Sequence, residues 1–202
     1  GGLHGVGLSV VNALSEYLYV EVARDRKRWG QNYSKGHPTD TLKEIGNSQN
    51  RRGTKITFRP DTQIFDKDIE FQPERLFKMA RSKAYLFRGI EIRWNCSPKL
   101  LKKNDNTPDN SLLHFPYGLS DYLNTALQKR KTITKTGFVG VSKLNSGSGK
   151  AEWAIHWPID EVSFLHSYCN TVPTPLGGTH EQGFRSALAK GLRSYGELIN
   201  NK

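Results

Sequence analysis

Apolar residues recur at two different spacings along this chain, and the change of spacing marks the expected helices and strands. Val6, Val10 and Leu14 follow a helical spacing, whereas residues 18–23 alternate between apolar and polar side chains. A period near 3.6 predicts an amphipathic helix, and a period of two predicts a strand. The chain is therefore expected to open with a helix over about residues 6–15 and to continue directly into a strand.

The same patterns predict elements as far as the last residues. Further strands are expected over residues 29–34, 37–45, 53–60, 89–94, 112–115, 136–144, 150–157 and 162–170. Further helices are expected over residues 73–86, 119–128 and 180–199. Residues 25–27 suit a hairpin turn, and residues 97–110 suit a long hairpin loop. The pattern indicates an α+β protein with a domain boundary near Pro116.

Composition narrows the class of protein. The chain has 202 residues, 36% of them hydrophobic, and a mean hydropathy of −0.63, which suits a globular protein with exposed charged loops. It contains no run of about 18 apolar residues, so no membrane-spanning helix is predicted. Cys96 and Cys169 form no Cys/His cluster, which argues against a zinc site and suits a reduced, cytoplasmic compartment.

The charge balance indicates a polyanionic partner. Lys and Arg number 30 against 19 Asp and Glu, for a net charge of +11. Such a balance favours nucleic acid as a partner. Any single basic cluster is better explained as a solvated turn or helix end, so the summed charge is the stronger indication. The clusters are Arg24/Arg26/Lys27/Arg28, Arg51/Arg52, Lys99/Lys102/Lys103 and Lys129/Arg130/Lys131.

Residues 1–8, called the glycine segment below, carry the candidate chemistry. They read Gly-Gly-Leu-His-Gly-Val-Gly-Leu and lead straight into the first predicted helix. Glycines allow close approach of a ligand, and a helix start presents unpaired N–H groups, so the combination suits a phosphate. An ordinary glycine turn is the alternative. No Lys-Ser/Thr follows Gly7, so the segment is not a Walker A loop.

The wider sequence resembles a known family. The glycine segment and the Ser-Val-Val-Asn-Ala-Leu-Ser that follows it at residues 9–15 are similar to the ATP-lid motif of the B subunits of bacterial type IIA topoisomerases. Those subunits, of gyrase and topoisomerase IV, belong to the GHKL ATPase superfamily. Gly-Gly-Thr-His-Glu-Gln-Gly-Phe-Arg at residues 177–185 resembles the family's transducer segment, and residues 52–58 resemble its Gly-Thr strand. Residues 170–175 look slightly more like topoisomerase IV.

The resemblance implies a fold and a domain division. Residues 1–116 correspond to the C-terminal part of a GHKL ATPase domain, in which helices cover a mixed sheet. Residues 117–202 correspond to a left-handed βαβ transducer domain that is truncated at its C-terminal end. Because the chain opens on the lid motif without an initiator Met, we expect it to be a fragment. Thr179 and Gln182 have the spacing of a capping box at the start of the last helix.

The resemblance also implies site residues and cofactors, namely ATP and Mg²⁺. Thr54 corresponds to a threonine that helps to hold the adenine. No catalytic residue and no metal ligand is expected within the chain, because the family's general base and Mg²⁺ ligand precede Gly1. These 202 residues alone are therefore expected neither to hydrolyse ATP nor to bind it tightly. The residues whose main-chain N–H groups would wrap the triphosphate are Gly2, Leu3, His4, Gly5, Val6, Gly7 and Leu8.

The implied function is that of the ATPase subunit of a type II DNA topoisomerase in the bacterial cytoplasm. ATP would close a DNA clamp and drive strand passage, with decatenation, relaxation or supercoiling as the outcome. The implied partners are double-stranded DNA, a second copy of the ATPase subunit and the DNA-cleaving A subunit, in an A2B2 heterotetramer without membrane contact. Two alternatives stay open: a basic, non-enzymatic nucleic-acid-binding module, and a MutL-like GHKL ATPase.

Overall fold

The computed structural model describes residues 4–102, 106–143, 149–160 and 162–199. The chain divides into two compact units, Gly1–Phe71 and Gln72–Lys202. Each unit combines helices with antiparallel strands, as expected for an α+β protein. This division does not test the domain boundary near Pro116, which stays a prediction.

Among its described residues, the first unit has one helix followed by a five-stranded sheet. The strands lie in the order β3-β2-β1-β5, with β4 also paired to β2. All of these pairs are antiparallel. The elements are α1 (Gly7–Ala13), β1 (Ser15–Arg24), β2 (Lys27–Ser34), β3 (His37–Pro38), β4 (Lys43–Asn47) and β5 (Gly53–Pro60).

Strand β1 is the centre of this sheet, since it pairs with β2 on one side and β5 on the other. The β1–β2 connection is the hairpin predicted from the charged turn. Asp25 and Arg26 both have positive φ angles, 52° and 62°, as a two-residue turn between twisted strands requires. Leu18 on β1 is 1% exposed and anchors the apolar core of the unit.

The second unit contains three two-stranded antiparallel sheets and three helices among its described residues. The sheets pair β6 with β7, β8 with β9 and β10 with β11. The helices are α2 (Pro73–Leu86), α3 (Leu119–Leu127) and α4 (Thr179–Leu198). The strands are β6 (Glu91–Asn95), β7 (Asn110–His114), β8 (Phe138–Lys143), β9 (Lys150–Ile155), β10 (Tyr168–Cys169) and β11 (Val172–Pro173), with a 3₁₀ turn at Pro98–Leu100.

A tyrosine cluster holds the core of the second unit. Tyr85 of α2 is 5% exposed and stacks on Tyr122 of α3, with ring centroids 4.2 Å apart. Its hydroxyl shares a hydrogen bond of 2.6 Å with the hydroxyl of Tyr168 on β10. Burial, together with the Tyr168 hydroxyl, raises the pKa of Tyr85 far above its ordinary value. The phenol therefore stays neutral and joins three elements through packing and one hydrogen bond.

Three predicted elements differ in the structure. The strand expected at 37–45 is two short strands, because the chain turns away from β2 and returns to it. The strand expected at 162–170 is limited to β10, whose partner β11 is equally short. Gly178, rather than Thr179, precedes the last helix, and no side chain caps that end, so the capping-box prediction was wrong.

A polar network takes the place of the capping box. Ser167 Oγ is 2.7 Å from Thr174 Oγ1 and donates to Glu181 Oε2 at 3.2 Å. Arg185 donates to the other oxygen of Glu181 at 3.0 Å. The start of α4 is thus held by a carboxylate in its first turn, where a negative charge also suits the helix dipole.

We predict that Leu18→Ala destabilises the protein by about 2–5 kcal/mol, because a fully buried leucine is removed from a central strand. Leu42, which is 59% exposed, provides the matched control, and Leu42→Ala should change the free energy of unfolding by less than about 0.5 kcal/mol. Urea denaturation followed by circular dichroism measures both. Equal effects of the two variants would contradict the position of the core.

Candidate functional site

Residues 4–8, the described part of the glycine segment, are exposed to solvent. Gly5 has a φ angle of +67°, where any side chain would strain the backbone. A Cβ added at Gly5 or Gly7 would meet nothing within 4 Å. The open space means that these glycines are not required by packing against the described protein. Gly2 and Leu3 lie outside the described residues.

The segment runs into the start of α1, which no side chain caps. Val6 occupies the cap position, and its carbonyl accepts the Val10 N–H at 3.0 Å. The first N–H groups of a helix have no partner within the helix. Because this first turn contains no acidic residue, its donors meet no local negative charge. These N–H groups can donate hydrogen bonds to the oxygens of an anion.

The other end of α1 is tied firmly to the sheet. The Ser15 hydroxyl donates to the Val11 carbonyl at 2.6 Å. The Asp61 N–H donates to the Leu14 carbonyl at 2.9 Å, and the Lys35 N–H donates to the Ser15 carbonyl at 2.7 Å. These bonds satisfy the last turn of the helix and the start of β1 at once, so α1 has a fixed base and an open tip.

Asp61 reinforces this base through its side chain, which is 4% exposed and lies 3.1 Å from Lys35 Nζ. Its Oδ1 accepts the Gln63 N–H at 3.0 Å. That main-chain bond is the largest cause that holds the pKa of Asp61 below its ordinary value, and Lys35 adds to it against the opposing effect of burial. Sequence reasoning missed this anchor, whose local signal is an Asp directly after a strand-ending proline.

Thr54 lies in another part of the same sheet. It is exposed near the start of β5 and opposite Val22 of β1. Val22 is seven residues from Ser15 along β1, or about 23 Å at the rise of a strand. In the described residues no hydrogen bond or ring contact joins Thr54 to residues 4–8. Thr54 and the glycine segment therefore belong to the same unit, but no direct contact supports their proposed roles.

Neither a membrane span nor a metal cluster occurs within the described ranges. No helix described there is both long and apolar enough to cross a membrane. No group of three His, Cys, Asp or Glu residues is arranged there to hold a metal ion. His4, which belongs to the glycine segment, is exposed.

Solved structures share this fold. The 43K ATPase domain of Thermus thermophilus gyrase B, in complex with an aminocoumarin, matches with a TM-score of 0.84 and 26% identity. The match covers 98% of this chain and 52% of that one. The topoisomerase IV ATP-binding domain of Francisella tularensis matches with a TM-score of 0.71 and 30% identity, covering 98% and 51%. The chain thus has the α+β fold of the GHKL ATPase domains found in the B subunits of type II topoisomerases.

Sequence relatives lead to the same class. A family model described as DNA gyrase B matches residues 118–202. The B subunit of DNA topoisomerase 4 from Bartonella bacilliformis is 52% identical, and its counterpart from Caulobacter vibrioides is 47% identical, each over 100% of this chain. The chain spans 29% of the length of both relatives. The sequence relatives and the family model are thus those of B subunits of bacterial type IIA topoisomerases, the class that the lid motif and the transducer segment predicted.

We predict that Asp61→Asn destabilises the protein at neutral pH by weakening the base of α1. A carboxyl whose folded-state pKa is lowered stabilises the folded state above its unfolded pKa of about 3.9. That contribution is lost as the pH falls through the folded pKa. The difference between parent and variant should therefore be full at pH 7 and should shrink below pH ~4.

Urea denaturation at several pH values measures this difference, with Asp68→Asn as the control for an exposed carboxylate in the same unit. The control should have little effect at any pH. A difference for Asp61→Asn that grows as the pH falls would contradict the assigned anchor.

Proposed function

We propose that the chain is part of the ATPase subunit of a type II DNA topoisomerase, in which bound ATP closes a clamp on DNA and permits strand passage. One observation carries this proposal: an open glycine segment, with Gly5 at φ +67°, leads into an uncapped helix start. Main-chain N–H groups at such a start are suited to phosphate oxygens. The similarity of the fold to the ATPase domain of gyrase B supports assigning ATP as the source of those phosphates.

The glycines themselves fit a triphosphate. Gly5 and Gly7 leave room where a Cβ would otherwise stand, so an anion can approach the backbone closely. Bound ATP supplies the phosphoanhydride bond whose hydrolysis resets the clamp. The chain's own contribution is to donate main-chain hydrogen bonds and to order the segment over the nucleotide, a switch of the disorder-to-order kind. The residues proposed for this role are Gly2, Leu3, His4, Gly5, Val6, Gly7 and Leu8.

Thr54 is proposed to help hold the adenine. Its exposed position near the start of β5 leaves its hydroxyl accessible, and the rigid pairing of β5 with β1 fixes its position. A Mg²⁺ ion accompanies ATP in the proposed function, but the described residues hold no suitable cluster of ligands. We assign no metal ligand and no general base to these residues, because the motifs that resemble the family include neither.

The wider assembly is part of the same proposal. Partners would be double-stranded DNA, a second copy of the ATPase subunit and the DNA-cleaving A subunit in an A2B2 complex in the bacterial cytoplasm. The net charge of +11 supports a DNA partner. We retain the division into an ATPase part at 1–116 and a transducer part at 117–202, which the family-model match beginning at residue 118 supports.

The same net charge favours a second candidate, a basic nucleic-acid-binding module without enzymatic activity. In that module the glycines serve only as turns. The two candidates differ in what substitution at the glycines does to nucleotide turnover, and the next experiment separates them.

We predict that Gly7→Ala, made in the full-length subunit of which this chain is proposed to be part (called the intact polypeptide), lowers ATP hydrolysis about tenfold, equivalent to about 1.4 kcal/mol, without loss of folding stability. Alanine is favoured over glycine within a helix, and its Cβ meets nothing in the ligand-free protein. The added group would instead obstruct the phosphate. Steady-state hydrolysis and thermal unfolding measure the two effects.

Gly191→Ala is the matched control, because Gly191 is also helical and its added Cβ also meets nothing within 4 Å. That variant should hydrolyse ATP at the parental rate. Parental hydrolysis by Gly7→Ala would overturn the phosphate role and favour the non-enzymatic module.

We further predict that these 202 residues alone do not bind ATP tightly. Main-chain donors without metal and adenine anchors recover too little free energy to offset the ordering of a glycine-rich segment. Isothermal titration calorimetry is the measurement, and a dissociation constant in the micromolar range would show the prediction to be wrong.

A further inference from the structure

A basic cleft lies at the end of the first unit's sheet where the β1–β2 turn is located. Strand β4 ends opposite Lys27 of β2, and β5 begins opposite Ala23 of β1. The chain between them, residues 48–52, must therefore cross the end of the hairpin. The crossing leaves a cleft of about 350 Å³, which we call the arginine cleft. Its lining residues are Asp25, Arg26, Ser48, Gln49, Asn50, Arg51 and Arg52.

The charges of the arginine cleft are unbalanced. Arg26, Arg51 and Arg52 are exposed and form no salt bridge with any residue that the structure describes. The one carboxylate in the lining, Asp25, is already 3.4 Å from Arg24 Nε. Nearby Lys27 is likewise neutralised by Glu44 at 2.7 Å. Three guanidinium groups without a described acidic partner therefore line a cleft whose single acid is engaged elsewhere.

Ser48 is the second feature of the arginine cleft. It is 7% exposed, and its hydroxyl has no hydrogen-bond partner among the described residues. Its N–H is fixed by donation to the Arg26 carbonyl at 2.8 Å. A buried hydroxyl without a partner is unfavourable, and a ligand oxygen would satisfy it. Contact of a ligand with this hydroxyl would require a displacement of residues 49–52, which belong to no strand.

We infer that the arginine cleft binds phosphate groups of a DNA backbone. Guanidinium groups match phosphate oxygens with paired donors, and the Ser48 hydroxyl adds a neutral donor. A duplex presents phosphates at a regular spacing, so several separate arginines can be used together. The inference rests on the proposed function, in which DNA is the partner, and it adds a specific contact surface in the first unit.

The test measures binding of a fluorescently labelled 30-base-pair duplex by the intact polypeptide at several salt concentrations. Each phosphate contact contributes about 0.9 to the slope of log K against log salt. The double variant R51Q/R52Q should therefore reduce that slope by about 1.8 and weaken binding at low salt. An unchanged slope would overturn the inference.

Lys129→Gln with Lys131→Gln is the matched control, since it removes the same charge from a basic cluster of the second unit. It should leave the slope close to the parental value. A fall as large as that of R51Q/R52Q would mean that overall charge, rather than the arginine cleft, governs binding, and would also overturn the inference.

Ser48→Ala separates a ligand role from a structural one. Loss of one neutral donor should weaken DNA binding by about three- to tenfold and leave the salt slope unchanged, because no counterion is released by a hydroxyl. The melting temperature should not fall, since the hydroxyl has no partner among the described residues of the free protein. Parental DNA affinity of this variant would remove Ser48 from the site and contradict the inference as stated.

ATP hydrolysis without DNA distinguishes failure of this inference from failure of the proposed function. All of these variants should hydrolyse ATP at the parental rate. An unchanged salt slope in a parentally active R51Q/R52Q protein would overturn the arginine cleft alone. If the parent itself hydrolyses no ATP, but the slope still falls in R51Q/R52Q, the arginine cleft is supported and the ATPase proposal fails.

Discussion

The direct passage from α1 into β1 is the constraint on which the first unit depends. Leu14 is the one residue between the two elements, and its carbonyl accepts the Asp61 N–H at 2.9 Å. The helix therefore cannot pivot at its base without breaking bonds to the end of β5. In the proposed phosphate binding, any change of backbone shape is consequently left to the open tip of α1, where Gly5 and Gly7 allow close approach.

Strand β1 carries this constraint across the sheet. Its neighbours are fixed on both sides by antiparallel registers, and Leu18 secures it to the core. The base of α1 therefore lies at one end of the strand, and the arginine cleft lies at the other. A phosphate at the tip of α1, as proposed, and a ligand in the arginine cleft would each be positioned from this rigid strand through a neighbouring segment, which combines precise positioning with adaptability.

Local signals predicted most of the fold, whereas contacts between distant residues could not be predicted. Residues 73–86 match α2 at both ends, because Pro73 and the apolar spacing are properties of that segment alone. The split of the strand expected at 37–45 depends on pairing with β2, and a period-two pattern carries no information on partners. The capping-box prediction failed because Gly178 precedes α4 and no side chain caps its start. The hydrogen bonds there come from Ser167, which lies outside the helix and contacts Thr174 and Glu181.

The two candidate sites differ in how visible they are in a sequence, and the difference is physical. A phosphate site made from main-chain donors needs several glycines close together in the sequence, so the glycine segment can be recognised from the sequence alone. A cleft made from side chains depends on register: Arg26 and Arg51 are 25 positions apart and meet because β4 pairs with β2 while β5 pairs with β1. A one-residue slip in either pairing would turn the side chains to opposite faces. Basic residues that look like ordinary solvated turns in the sequence can therefore form one surface once the registers are known.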